Sequence, residues 1–120
     1  MDIWQYNTFK FFRQYFNLPR SIALQWCIVK ESTPKGTEFR LGVALKGTEL
    51  YIDVAMRRFF SRIDCPAIQR ACFPAERIDK KDRYEYRSSD GWVISKPKRY
   101  IWDIYTSSWY DEDTLDRTFL

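Results

Sequence analysis

The sequence predicts an α+β domain on an antiparallel β-sheet, and three observations point there. Apolar and polar residues alternate with period two in three consecutive segments between Ile22 and Arg57, the pattern of strands with one buried face. A helical stripe of aromatic residues precedes them in residues 2–17. Turn residues punctuate the segments: Pro34 and Gly36 in ESTPKGT, then Lys46-Gly47-Thr48, then Asp90-Gly91 further on.

Taken in order, residues 2–17 (DIWQYNTFKFFRQYFN) read as an amphipathic helix. Trp4, Phe9, Phe11, Phe12, Tyr15 and Phe16 share one broad sector, while Asn7, Lys10, Arg13, Gln14 and Asn17 fall opposite. Asp2 caps its start, and Pro19 ends it by disfavouring helix at Leu18. Core packing on the sheet is the expected role of the aromatic sector, ahead of a membrane surface. The meander follows: Ile22, Leu24, Trp26 and Ile28 alternate in the first strand, Phe39, Leu41, Val43 and Leu45 in the second, Leu50, Ile52, Val54 and Met56 in the third. A loop over ESTPKGT joins the first two, and a tight hairpin at Lys46-Gly47-Thr48 joins the next two.

Beyond the meander, RRFFSRID either continues the third strand or begins a helix. A short helix is expected near 65–73, capped by Asp64, with Pro66 in its first turn and Pro74 at its end. DRYEYRSSDGWVISK reads as a second hairpin turning at Asp90-Gly91. In SKPKRYIWDIY a strand puts Lys98, Tyr100, Trp102 and Ile104 on one face and Arg99, Ile101, Asp103 and Tyr105 on the other, with Tyr100 and Trp102, beside Ile104, facing a core. A C-terminal helix capped by Ser108 is expected last, with Asp111, Glu112 and Asp113 in its first turn and Leu115 and Phe119 docking it.

A chain of 120 residues fits one domain, 1–120, and can bury a core without staples. Nine Phe, eight Tyr and five Trp supply the apolar area that folding requires, so the chain is not of the disordered class. No basic segment followed by an apolar one appears after Met1, and the longest apolar run, Ile22 to Val29, is too short to span a bilayer. A cytoplasmic protein without a membrane span is expected. Cys27, Cys65 and Cys72 match neither a redox pair nor a zinc knuckle and read as buried free thiols, with a Cys65–Cys72 disulfide the alternative.

The composition narrows the chemistry. There is no histidine, which removes the usual group titrating near neutral pH, together with imidazole-based dyads, triads and metal ligands. The four glycines are too dispersed for a phosphate-binding loop. Asp53 followed by Asp79 and Lys81 faintly matches a metal-dependent nuclease and is the remote alternative. No catalytic residue, metal or cofactor is expected.

Two basic clusters stand out within a net charge of +4: Arg57, Arg58 and Arg62 around Phe59 and Phe60, and Lys96, Lys98 and Arg99 running into Tyr100. With Trp109 and Tyr110 in the acidic C-terminal segment, they are the candidate contact residues. Arginine beside aromatic anchors is the chemistry of protein–protein hot spots. Cations interleaved with rings also suit single-stranded nucleic acid. The expected function is therefore a small non-enzymatic protein-binding module, analogous in size and lack of motif to the inhibitors and immunity factors of phages and mobile elements. Nucleic-acid binding is the alternative. A sheet edge near Pro97 could also pair with a second copy to give a homodimer.

Overall fold

The computed structural model describes residues 8–62 and 69–118, so the expected start of the first helix at Asp2 and Trp4 and the Cys65–Cys72 pairing lie outside the described residues. The chain divides into two compact units, Ala23–Pro97 and a second formed by Met1–Ile22 with Lys98–Leu120. The architecture is mostly antiparallel sheet, with one helix among the described residues. None of the described helical residues forms a span long and apolar enough to cross a membrane.

The larger unit is a seven-stranded sheet. Its strands are β1 (Leu24–Thr33), β2 (Gly36–Leu45), β3 (Leu50–Asp53), β4 (Arg58–Ser61), β5 (Gln69–Asp79), β6 (Arg83–Ser88) and β7 (Val93–Pro97), in spatial order β4-β3-β2-β1-β5-β6-β7. The expected meander is β1–β3, in the register Leu24↔Leu45 through Thr33↔Gly36 and Gly42↔Asp53 through Ala44↔Tyr51. The turn between β1 and β2 is tighter than the loop expected over ESTPKGT. The Thr33 hydroxyl donates to the Gly36 carbonyl at 2.9 Å and accepts from the Lys35 N–H, leaving Pro34 and Lys35 as the only unpaired residues. Gly36 (φ +132°) takes a backbone conformation that a side chain would disfavour.

β3 ends after four residues, where the alternation suggested nine. Asp53 stops it: its Oδ1 accepts the Met56 N–H at 2.9 Å and its carbonyl accepts the Arg57 N–H at 2.7 Å. Arg57 then adopts a left-handed conformation (φ +54°), and Arg58–Ser61 returns as the antiparallel edge strand β4 instead of prolonging β3 or starting a helix.

The helix expected near 65–73 is corrected over its described part, because Gln69 onward is strand. Residues 69–74 pair with β1, including Val29↔Cys72, and residues 75–79 pair with β6. Pro74, expected to end a helix, sits where β5 changes partner, a position that tolerates the missing N–H. The second hairpin forms as expected, with Gly91 at φ +94° and the Ser88 hydroxyl accepting the Trp92 N–H at 3.0 Å.

The sheet is strongly curled. Four strand spacings, about 19 Å if flat, separate β2 from β7. Yet Phe39 of β2 and Trp92, just before β7, have ring centroids 4.8 Å apart, and Trp26 of β1 meets Tyr86 of β6 at 5.0 Å. This wraps the second hairpin over the face carrying Trp26, Ile28, Leu41, Val43 and Ile52. The last four of these are buried, as is Tyr86. Outside the hairpin, Glu85 grips both Arg87 and Arg83, which hold its carboxyl below the usual glutamate range.

The smaller unit contains α1 (Thr8–Tyr15) and a three-stranded sheet of β8 (Tyr100–Asp103), β9 (Ser108–Asp111) and β10 (Arg117–Thr118), in order β10-β9-β8. The helix ends earlier than Pro19 alone would impose. Asn17 is left-handed (φ +51°), the Leu18 N–H returns to the Arg13 carbonyl at 2.9 Å and the Asn17 N–H to Gln14, the bonds of a Schellman cap. The Arg13 guanidinium reinforces the exit by donating to the Ile22 carbonyl at 2.8 Å. Of the aromatic sector, Phe12 is buried, while Tyr15 stays exposed.

The expected C-terminal helix is absent from the described residues: Ser108–Asp111 is strand, and the acidic run forms a turn. Asp111 Oδ1 accepts the N–H groups of Asp113 (2.9 Å) and Thr114 (3.0 Å), and the Asp111 N–H donates to the Asp116 carbonyl at 2.7 Å. An aspartate side chain here competes with helix for the backbone donors. Asp111 is buried, and burial raises its carboxyl above the usual range despite those bonds. Asp111→Asn keeps the accepting oxygen and removes the desolvated charge, so its thermal midpoint at pH 7 exceeds the wild type's by a few degrees. With the folded value raised, the difference is complete above it and vanishes below the ordinary aspartate value of about 3.9. Thermal melts of both proteins across that range check the sign, and a lower midpoint for the variant at pH 7 would contradict it.

Candidate protein-binding surface

The eight candidate residues do not form one cluster. Arg57, Arg58 and Arg62 come together around the edge strand β4 of the larger unit. Lys96 lies in β7, the opposite edge strand of the same sheet, across from Tyr84. Lys98, Arg99, Trp109 and Tyr110 belong to the smaller unit.

Around β4 the arginines hold the fold as much as they face solvent. Arg58 lies over the Phe60 ring, 5.8 Å from its centroid. The one-turn helical spacing of Arg58 and Arg62 does not occur, because Arg58–Ser61 is a strand; the Arg62 N–H donates to the Glu49 carbonyl at 2.6 Å and its guanidinium to the Thr48 carbonyl. The Arg57 N–H closes the β3–β4 turn.

That face of the sheet also carries a charged network. Glu31 is buried and accepts from the Tyr51 hydroxyl (3.2 Å) and Arg70 (3.3 Å), with Arg40 at 3.6 Å. Arg40 also approaches Asp53 at 3.9 Å. Burial depresses the Arg40 guanidinium, but the carboxylates of Asp53, Glu31 and Glu38 outweigh it and hold the group above its ordinary value. Burial and the Glu31 charge together push the Tyr51 hydroxyl up. Each charge here has a partner of opposite sign, which favours an internal brace over a phosphate-binding groove. Asp53 in β3 and Asp79 at the end of β5 are kept apart by β2 and β1. Among the described residues no three Cys, Asp or Glu side chains converge to hold a metal.

In the smaller unit, β8 and β9 form a hairpin in the register Tyr100↔Asp111 through Asp103↔Ser108. Ile104 to Ser107 make its tip, which is locally fixed: Asp103 Oδ1 accepts the Tyr105 N–H at 2.9 Å, the Thr106 and Ser108 hydroxyls are 2.7 Å apart, and Ser107 is left-handed. The tip presents Ile104, 71% exposed, and Tyr105, 93% exposed. Behind it Tyr100, Ile101 and Trp102 are exposed as well, and Trp102 meets the half-buried Trp109 edge-on at 5.3 Å. Tyr110, also half-buried, pairs with Ile101.

The exposure of Tyr100, Trp102 and Ile104 corrects the expectation that they face a core. A four-residue strand with apolar groups on both faces, at the edge of a three-stranded sheet, has too little structure around it to cover both. The alternation places Ile104 on the core face, and Ile101 and Tyr105 on the opposite face with Arg99 and Asp103, so none of the three is among the candidate residues. The readable signal was that Tyr100–Trp102 is apolar on both faces. Between residues 98 and 118 the anions are Asp103, Asp111, Glu112, Asp113 and Asp116, against Lys98, Arg99 and Arg117. Compared with protein-family models, with curated proteins and with solved structures, the chain matches none of them.

Proposed function

We propose that this protein is a non-enzymatic protein-binding module of the cytoplasm that acts by covering a partner's surface, as compact inhibitors and immunity factors do. The observation that carries the reading is the β8–β9 hairpin, whose fixed tip holds Ile104 and Tyr105 in solvent with Trp102 and Tyr100 behind them. Tyr and Trp give large contact area at low conformational cost and dominate protein–protein hot spots. Contiguous exposed apolar surface of this kind marks an interaction site. The predominance of acids around the hairpin favours a protein partner with a basic rim over a nucleic acid, whose phosphates those acids repel.

The experiment compares the wild type with an Ile104→Ser/Tyr105→Ser double variant by affinity capture from cells of the source organism, followed by affinity measurement with the recovered partner. Surface substitutions at an exposed tip alter stability by no more than about 0.5 kcal/mol, so the variant folds. Loss of a hot-spot pair weakens binding by about 30-fold or more. Equal capture by both proteins removes the hairpin from the reading. Binding to nucleic acid that falls steeply with salt and survives the double substitution replaces it with the alternative built on Arg57, Arg58, Arg62, Lys96, Lys98 and Arg99.

A further inference from the structure

We infer that Cys72, backed by Cys27, is a modification site in the larger unit, forming a mixed disulfide with a low-molecular-weight disulfide that bears carboxylates. The register Val29↔Cys72 and Cys27↔Pro74 puts both sulfurs on the same face of the β1–β5 pair, on diagonal positions. They pack in one cluster with Val29, Tyr51 and Phe60. Cys27 is buried, but Cys72 is only half-buried and opens on a cavity of about 200 Å³, whose lining includes Gln25, Cys27, Ala44, Lys46, Arg62 and Cys72.

The surroundings activate one sulfur and silence the other. The Cys27 thiol hydrogen-bonds to Cys72 and lowers it, and Arg62 and Arg70 lower it further against the opposing effects of burial and the Glu49 charge. Cys27 is pushed up by the same hydrogen bond and by its burial, so it remains the proton donor. The reactive form of cysteine is the thiolate, and a cationic, partly open setting favours it. Lys46 and Arg62 in the cavity lining suit a carboxylate on the incoming molecule.

In the step, the Cys72 thiolate attacks one sulfur of the reagent disulfide. The new Cys72–S–S–R bond forms as the old S–S bond breaks, and the second half leaves as a thiolate that takes its proton from water. The exchange needs no oxidant beyond the reagent disulfide. Cys27, whose thiol stays protonated, is a poor nucleophile and leaves the adduct in place.

The test exposes the full chain to oxidised glutathione and follows intact mass and peptide mapping over time and pH. A single first adduct on Cys72 is expected, forming about tenfold faster in the native protein than at the same residue in denaturant. Cys72→Ser abolishes it, and Cys27→Ala, which leaves the nucleophile in place and removes the donor, moves the pH–rate profile of the Cys72 adduct upward. A first adduct on Cys65, a native rate at Cys72 no faster than the denatured one, an unmoved profile in Cys27→Ala, or a Cys27–Cys72 disulfide as the product would each overturn the inference.

Discussion

Replacing Tyr86 with alanine lowers the free energy of unfolding by about 3–5 kcal/mol, the range for deleting a large ring from a packed core. Tyr86 has no solvent exposure and lies where the curled sheet closes on itself, its ring 5.0 Å from that of Trp26. Arg77, which pairs with Tyr86 across β5 and β6, stacks over both Trp26 and Tyr84. The truncation therefore removes apolar area from water exclusion and opens a void among groups held by backbone ladders, which cannot close over it. Denaturant titration measures the change, with an unaltered slope confirming that the same surface unfolds. Tyr105→Ala is the control, since its ring is almost wholly in solvent and its loss costs no more than about 0.5 kcal/mol. Similar losses for the two variants would mean that the second hairpin does not close over the β1–β2 face.

Glu31→Ala costs about 3 kcal/mol, the low end for breaking a buried ion pair, because Arg40 retains some access to water. The carboxylate is the common acceptor for the Tyr51 hydroxyl and Arg70. Without it the buried hydroxyl loses an acceptor and Arg70, with only 15% of its side chain exposed, keeps a charge without its carboxylate. Glu38→Ala provides the comparison, since Glu38 also meets Arg40 but at the exposed end of the network, and surface pairs contribute at most about 1 kcal/mol. Thermal or denaturant unfolding of the two variants decides the matter. A Glu31 loss no larger than the Glu38 loss would show that the network is surface decoration.

How much of this was legible in the sequence follows the range of the forces involved. The period-two alternation of Ile22 to Met56 foretold β1 to β3, because burial of one face imposes it residue by residue. The Asp90-Gly91 hairpin was legible because Gly91 supplies the positive φ that its turn demands. The strand at Gln69–Phe73 was not, because Pro66 and Pro74 bracket a stretch that also fits a short helix. Its strand state is decided by hydrogen bonds to β1, some forty residues earlier in the chain.

The C-terminal misreading has a different origin. Ser108 and the acids after it fit the start of a helix, and nothing local excludes that. The Asp111 carboxylate captures the N–H groups of Asp113 and Thr114, and the pairing of β9 with β8 and β10 holds the strand that leads into the turn. The candidate site was half legible. Trp109 and Tyr110 lie in the hairpin that carries the exposed patch, whereas Tyr105, its most exposed ring, shares a strand face with Arg99, Ile101 and Asp103 in the alternation and is not among the candidate residues.

Residue type and near-neighbour pattern alone account for the class, the meander, the turns at Gly47 and Gly91 and the absence of imidazole chemistry. The curl that brings Phe39 to Trp92, the strand state of β5 and the exposure of the β8–β9 hairpin arise instead from long-range packing. Each depends on which distant segment arrives to supply hydrogen bonds or to cover an apolar face, and no local window of the sequence contains that partner.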